Sequence, residues 1–319
     1  MILLQKKPKR DLHTGYIKQR RRLSGKTISA LQLYSLCAIP VLLVLLFNYI
    51  PMFGIVIAFK NYNYTDGILG SKWVGFDNFR FFFETDVFWR IARNTVGMNV
   101  LFIFSGLIAK LAFAIMLFEI TSRRFVKTVQ TISIMPNFLS MVIVAYIVYA
   151  ILNPRYGSLN KIFGLNIDWY TKPNAWPVIL TITNVWKNVG IGSVIYYASL
   201  MGIDTQYFEA AELDGATKWD KIRFIMIPSL MKLIVMLTIL DVGGIFNADF
   251  GMFYQVTRNS STLYPTTDVI STYTFRALTE MGNTSMGSAV GLLQNVVGLI
   301  MVMITNYAAK KIDPDYGLF

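Results

Sequence analysis

Histidine and cysteine, which carry much of the acid–base and metal chemistry of proteins, are nearly missing from this chain. Its 319 residues hold one of each, His13 and Cys37. With Cys37 alone inside an apolar run, neither a disulfide nor a cysteine metal cluster can form within the sequence. With His13 in a basic tail, histidine catalysis among the apolar segments is excluded too. Charge is also scarce: charged residues make up 15% of the chain and hydrophobic ones 54%, for a mean hydropathy of +0.48. Soluble domains of this length do not show that balance, so the chain belongs in a bilayer.

What charge there is leans positive, with a formal net value of +12. Nine of the 30 Lys and Arg precede residue 30, ahead of the first apolar run. No basic surface studded with aromatic rings follows, so the tail reads as a membrane-orienting segment rather than a nucleic-acid site. Gly25-Lys26-Thr27 is no phosphate loop, because the glycine needed at position 20 is Arg20.

Six runs are long and apolar enough to cross a hydrocarbon core that needs about 20 helical residues. They lie near Ala30 to Phe59, Ile91 to Ile120, Phe125 to Leu152, Trp176 to Ala198, Ser229 to Phe250 and Met286 to Ala309. The first continues through Pro40 and Pro51 without a small-residue cleavage site, so it is expected to stay as a span. Seventeen positive residues fall on the side of the N-terminal tail and nine on the other, which predicts both termini inside. The expectation is therefore an all-α integral membrane protein with six transmembrane helices. Its parts are a basic cytoplasmic tail (1–29), a first transmembrane helix (30–59), an extracellular aromatic segment (60–90), a five-helix core (91–310) containing a cytoplasmic loop (204–228), and a cytoplasmic end (311–319).

The aromatic segment is too rich in rings for a solvated linker, and Phe76 to Phe83, FDNFRFFF, predicts a short helix lying in the membrane interface. Gly251 to Ser285 is long and polar and predicts an outside docking surface. Three Asn-x-Ser/Thr triplets, at Asn63, Asn259 and Asn283, carry little weight in a chain so rich in Asn.

The cytoplasmic loop has strong local signals. Asp204 can cap a helix holding Glu209, Ala210 and Ala211, Gly215 breaks it after Asp214, and Thr217 with Asp220 can form a capping box. Pro228 is expected to mark re-entry into the fifth span. Ala210 and Ala211 keep one side thin, so that another surface can approach to backbone distance. Inside the spans, polar groups are costly and become candidates for a path. Asn184, Trp186, Asn188, Asp241 and Asn247 suit a saccharide, which is bound by amide and carboxylate hydrogen bonds and a stacked ring. Each also suits an interhelical contact, the commoner role for such residues. Lys110 could pair with a carboxylate, and Lys232 can snorkel to the inner surface. The span glycines, among them Gly97, Gly106, Gly190, Gly192, Gly243, Gly244, Gly291 and Gly298, fit close packing or bending.

Glu209-Ala-Ala, three residues, Gly215, nine residues, Ile225, one residue, Ile227-Pro228 resembles the cytoplasmic EAA loop of permease subunits in binding-protein-dependent ABC importers. Ile227 stands where that family usually has Leu, and Asp214-Gly215-Ala216 is the form common in sugar permeases. PMFGIVIAFKNYN, SKWVGFDNF and DPDYGLF resemble the branch that imports complex saccharides in Gram-positive bacteria. The resemblance implies a type I ABC importer permease fold with an EAA coupling helix, in a multi-pass protein of the bacterial cell membrane. It implies that Glu209 pairs with a basic residue of an ATPase subunit, that Ala210 and Ala211 allow close packing, and that Asp214-Gly215 makes the turn. The expected partners are a second permease, two ATPase subunits and an extracellular sugar-binding protein. No catalytic residue, metal or cofactor is expected on this chain, ATP-Mg belonging to the ATPase. Pectin-derived oligosaccharides are one candidate cargo. A secondary transporter of a small polar solute would need an internal repeat and midplane carboxylates, for which Asp241 alone is thin support. A membrane enzyme would need an acidic, His or Cys cluster at one membrane face.

Overall fold

The computed structural model describes residues 25–80, 84 and 86–318. The basic tail up to residue 24 with His13, the segment Phe81 to Phe83 and Phe319 lie outside the described residues. The chain forms two units, Met1–Phe53 and Gly54–Phe319. In the first, α1 (Gly25–Val44) runs into a π turn, Leu45–Tyr49. Leu36, Ile39 and Phe47 are 73%, 67% and 72% exposed. A helix apolar on every side is suited to lipid rather than water.

In the second unit, β1 (Lys60–Asn61) and β2 (Lys72–Trp73) form a small antiparallel pair. Phe59, Trp73, Phe76 and Phe79 then cluster, with ring centroids 5.5–5.8 Å apart. Asn78 Nδ2 donates to the carbonyls of Ala58 and Lys60 at 2.8 and 3.0 Å. The described part of FDNFRFFF is thus a single 3-10 turn, Asp77–Phe79. The remainder of the expected interfacial helix, Phe81 to Phe83, lies outside the described residues.

Five helices among the described residues are long and apolar enough to cross a membrane: Leu33–Phe59, α2 (Asp86–Phe118), Pro173–Leu200, which contains α5 (Trp176–Leu200), the run Lys218–Gly243, and α10 (Thr284–Ile312). Met98 shares a cluster with Trp176 and Leu180, and Ala114 another with Tyr196 and Leu200, so α2 and α5 lie side by side in the same direction. Gly192 leaves space for the stem of Lys110, whose Cδ and Cε would be 2.7 Å from a Cβ there. Lys110 forms no salt bridge among the described residues, so the expected carboxylate partner is replaced by packing.

The expected third span, Phe125 to Leu152, is broken. α3 (Arg123–Ile134) with the 3-10 turn Met135–Phe138 meets α4 (Met141–Leu152) at 101°. Pro136 lacks the N–H that would continue the helix, Leu139 is extended at ψ 134°, and the Ser140 side chain caps α4. The freed carbonyls are satisfied from elsewhere. Lys187 on α5, 7% exposed, donates to the carbonyl oxygens of Pro136, Asn137 and Leu139 at 3.2, 2.9 and 2.7 Å. Gly190, one turn on, lies against the backbone of α3, where any Cβ would overlap the Ser133 carbonyl.

The fifth span also departs from expectation. α7 (Lys218–Lys221) continues through a π turn, Ile222–Met226, into α8 (Ile227–Gly243). The helix therefore starts at the Thr217 cap, and Pro228 lies inside it just after the π turn, which accommodates the missing N–H. It stops at Gly243 rather than Phe250, and Asn99 Nδ2 and Gln294 Nε2 take up the carbonyls of Ile245 and Phe246 at 2.7 and 2.6 Å.

Gly251 to Ser285, expected as a polar docking loop, contributes part of the core and keeps Arg258, Ser261, Thr262 and Pro265 exposed. Met252, Phe253, Val256, Leu263 and Val269 pack with Val144, Ala145 and Val148 of α4. Its polar groups bond inward: Asp268, 2% exposed, takes Arg276 Nη2 at 2.6 Å and faces Arg90 at 3.7 Å. Asn94 donates to the Pro265 and Asp268 carbonyls, each at 3.1 Å. α9 (Ile270–Met281) then leads into α10. Part of the polarity here satisfies an irregular backbone from within.

Replacing Gly190 by Ala should force α5 off α3 at a cost of about 1–3 kcal/mol, read as a lower thermal midpoint in detergent. Gly97, which has nothing within 4 Å of a Cβ, is the matched control and should tolerate Ala. Lys187→Met should cost about 1–3 kcal/mol by leaving buried carbonyls unpaired, whereas Lys187→Arg should retain part of that in the same melt.

Candidate functional site

The Glu209 segment folds from its own signals. Asp204 Oδ1 accepts from the Gln206 N–H at 3.0 Å and opens α6 (Thr205–Leu213). Gly215, at φ +78°, turns the chain in the left-handed region that glycine alone enters freely. Thr217 and Asp220 form a reciprocal capping box at the start of α7. The hydrogen bonds from Thr217 hold the Asp220 carboxyl below the usual carboxylate range, and Lys221 does the same to Glu212 across the knuckle.

Two contacts tie this knuckle to α2. Phe208 packs on Phe118 at 5.5 Å, and Lys218 faces Glu119 at 3.4 Å. Glu209, Ala210, Asp214 and Gly215 are exposed and Ala211 is half-buried. Around them Tyr207, Leu213 and Trp219 are 65%, 90% and 78% exposed. An exposed carboxylate amid large uncovered apolar side chains has the composition of a docking surface. The sequence reading named the carboxylate and the turn but missed Leu213, Trp219 and Glu119. The signal was there: Leu213 is the last residue of a short helix that offers no other place to bury it.

The intramembrane candidates separate into two groups. Asn188 Nδ2 donates to the Asn184 carbonyl at 3.1 Å, and its Oδ1 accepts from Asn137 at 3.2 Å, beside the break that Lys187 holds. Trp186, next to Lys187 on α5, is 40% exposed. Asp241 lies exposed in the last turn of α8. Asn247 is exposed just beyond, with its N–H on the Gly244 carbonyl at 2.7 Å and its carbonyl near Asn99 at 3.4 Å. Among the described residues no hydrogen bond joins the Asn184–Asn188 group to Asp241 or Asn247. Both groups border a helix break and keep polar atoms uncovered. Asn99 and Asn137, which hold those breaks, were not singled out by sequence, since an Asn in an apolar run does not declare its partner. No group of three or more His, Cys, Asp or Glu able to hold a metal occurs among the described residues.

Comparison with known proteins bears on the whole arrangement. The family model for the inner membrane component of binding-protein-dependent transport systems matches residues 102–314. Protein LplB of Bacillus subtilis is 33% identical over 90% of this chain and 91% of its own length. The polygalacturonan/rhamnogalacturonan transport system permease protein YteP, also from B. subtilis, is 32% identical over 93% of each. Among solved structures, a bacterial ABC transporter involved in the import of the acidic polysaccharide alginate contains a chain that superposes with a TM-score of 0.81. That chain is 30% identical over 90% of this one and 98% of its own length. A bacterial alginate ABC transporter in complex with an alginate pentasaccharide-bound periplasmic protein gives 0.80, at 31% identity over 90% of this chain and 96% of its own. From α2 through α10, this chain belongs to the inner membrane component family of binding-protein-dependent transport systems, as a multi-pass permease subunit.

Proposed function

We propose that the chain forms half of the translocation path of an ATP-driven importer of oligosaccharides, beside a second, different permease. Two ATPase subunits would dock on the Glu209 knuckle from the cytoplasmic side, and an extracellular binding protein would deliver the sugar at the opposite end. Both termini would be cytoplasmic. The chain itself would carry no catalytic group, with ATP and Mg on the ATPases. The observation that carries this reading is the knuckle: a self-capped turn whose Glu209 forms no salt bridge among the described residues, ringed by exposed Tyr207, Leu213 and Trp219, and linked to the end of α2. Relatives named for polygalacturonan, rhamnogalacturonan and alginate support a saccharide cargo and make plant-wall fragments the first to try. Asn184, Trp186, Asn188, Asp241 and Asn247 would line the path in turn.

Glu209→Ala should leave the protein in the membrane and weaken ATPase docking. Truncating one side of a buried charge pair costs about 2–5 kcal/mol, roughly 30-fold or more in affinity. Gly215→Asp, strained at positive φ, should uncouple sugar-stimulated ATP hydrolysis. Normal docking and coupling in both variants would remove the knuckle from the mechanism. The knuckle's internal bonds also have a pH signature. Because the Glu212 and Asp220 carboxyls are held low, their contribution is complete above the ordinary carboxylate range and is lost as pH falls through the lowered values. Hydrogen exchange of residues 205–221 should be flat, after correction for intrinsic rate, down to about pH 5 and rise only below about pH 4. Glu212→Gln should flatten part of that acid limb.

A further inference from the structure

A cavity of about 220 Å³ opens between α4 and the turn that follows the π stretch Met252–Val256. Tyr146, Tyr149, Tyr254, Gln255, Arg258 and Asn259 line it. Its floor has an unusual backbone. Arg258 and Asn259, at φ +58° and +48°, are the two non-glycine residues with positive φ among the described residues. Such conformations persist where the surroundings impose them, and they gather at ligand clamps.

The surroundings do impose them here. The Asn259 N–H donates to the Tyr254 carbonyl at 3.0 Å. Its Oδ1 accepts from the Tyr264 hydroxyl at 3.1 Å and from Arg276 Nη1 at 3.3 Å. Arg276 is in turn fixed by buried Asp268. The result is that Arg258 is set over the face of Tyr149, 4.3 Å from the ring centroid. An arginine held on a ring keeps its N–H fork available for a planar anion.

No anion among the described residues uses it. Among the described residues Arg258 forms no salt bridge, and it is exposed. Asp168, across the adjoining cavity that Arg258 also lines, caps the Tyr170 N–H at 3.0 Å instead. Burial pushes the Tyr170 hydroxyl up to about 12 against the pull of Arg258, so that neighbour stays neutral. The cleft therefore offers one cation that no carboxylate among the described residues takes, the exposed ring of Tyr146, and the Gln255 amide, while Tyr149 carries Arg258 and Tyr254 stacks on Phe250.

We propose that this cleft binds a uronate unit of the imported oligosaccharide, Arg258 taking the carboxylate and Tyr146 the apolar face of the pyranose. The charge-assisted bidentate pair selects the acid, since a neutral hexose gives the guanidinium no anion to replace its water. The cleft lies on the segment that follows Asn247 in sequence, and it shares no lining residue with the Asn184–Asn188 group. The inference rests on the import reading and narrows it to acidic sugars.

The test is initial uptake of labelled trigalacturonate and, separately, of neutral xylotriose by cells holding the complete transporter. Wild type, Arg258→Gln and Arg258→Lys are compared at matched membrane levels, with the binding protein unchanged throughout. Uptake of trigalacturonate by wild type, a fall of about tenfold or more in Arg258→Gln, and substantial retention in Arg258→Lys are expected. Should Arg258→Gln not reach the membrane, Tyr146→Ala, at the 71% exposed rim, replaces it and should lower trigalacturonate uptake several-fold. Equal uptake of trigalacturonate by variant and wild type overturns the site. Wild-type uptake of xylotriose alone overturns the acidic specificity and leaves the import reading standing. Uptake of neither sugar removes both.

Discussion

At three places where this chain leaves the helix, after Pro136, after Gly243 and at Pro265 to Asp268, a side chain from another helix comes to hold the carbonyls set free. That constraint has no aqueous counterpart of the same severity, because in lipid an unpaired carbonyl has no water to turn to. At the 101° break after Pro136 the donor is Lys187 of α5, reaching three carbonyls at once. At the end of α8 the donors are Asn99 of α2 and Gln294 of α10. Where the chain returns through Pro265 and Asp268, the donor is Asn94 of α2. Each irregular stretch is thereby tied to a long straight helix, and the bundle's rigid members fix the positions of its broken ones.

The same constraint explains which parts of the sequence could be read and which could not. Capping is local: Asp204, Thr217 with Asp220, and Gly215 act within three residues of themselves, so the knuckle was legible down to its turn. Hydropathy is local too, which is why five of the six spans emerge as long helices and the family resemblance fits the fold. The donors at the breaks act across 48 to 51 residues for Lys187 and 146 for Asn99. No window of sequence contains both partners. A run such as Phe125 to Leu152 therefore read as one straight span, although Pro136 gave notice of a break.

Polarity in the 251–285 stretch has a source that composition alone does not separate from solvent exposure. Gly251 to Ser285 is rich in Ser, Thr and Asn, as a solvated loop would be, yet Thr267, Asp268 and Thr272 are 2–3% exposed. A segment that folds without long helices exposes many backbone groups, and side chains that can bond to that backbone are what such a segment needs. The glycines divide along similar lines. Gly190, Gly192, Gly243 and Gly298 sit where another element leaves no space for a Cβ, while Gly97 and Gly291 meet nothing within 4 Å. The first group serves packing within the chain. The second marks helix faces that this chain alone does not cover, and a second permease would have access to them.

The links between the knuckle and the bundle set what a movement there could accomplish. A push on α6 passes to α2 through Phe208 on Phe118, and a push on α7 passes to α2 through Lys218 and Glu119 and to α8 through a helix interrupted only by its π turn. Of these, the exposed Lys218–Glu119 pair is a weak strut, worth at most about 1 kcal/mol, whereas Phe208 joins the cluster of Ala114, Tyr196 and Leu200. Displacement therefore travels mainly through apolar packing, from α6 into α2 and α5 together. Because Lys187 of α5 grips the break between α3 and α4, a shift of α5 must either carry that break with it or give up three buried hydrogen bonds. Keeping those three bonds favours the first outcome, so a shift of α5 would carry the broken span with it.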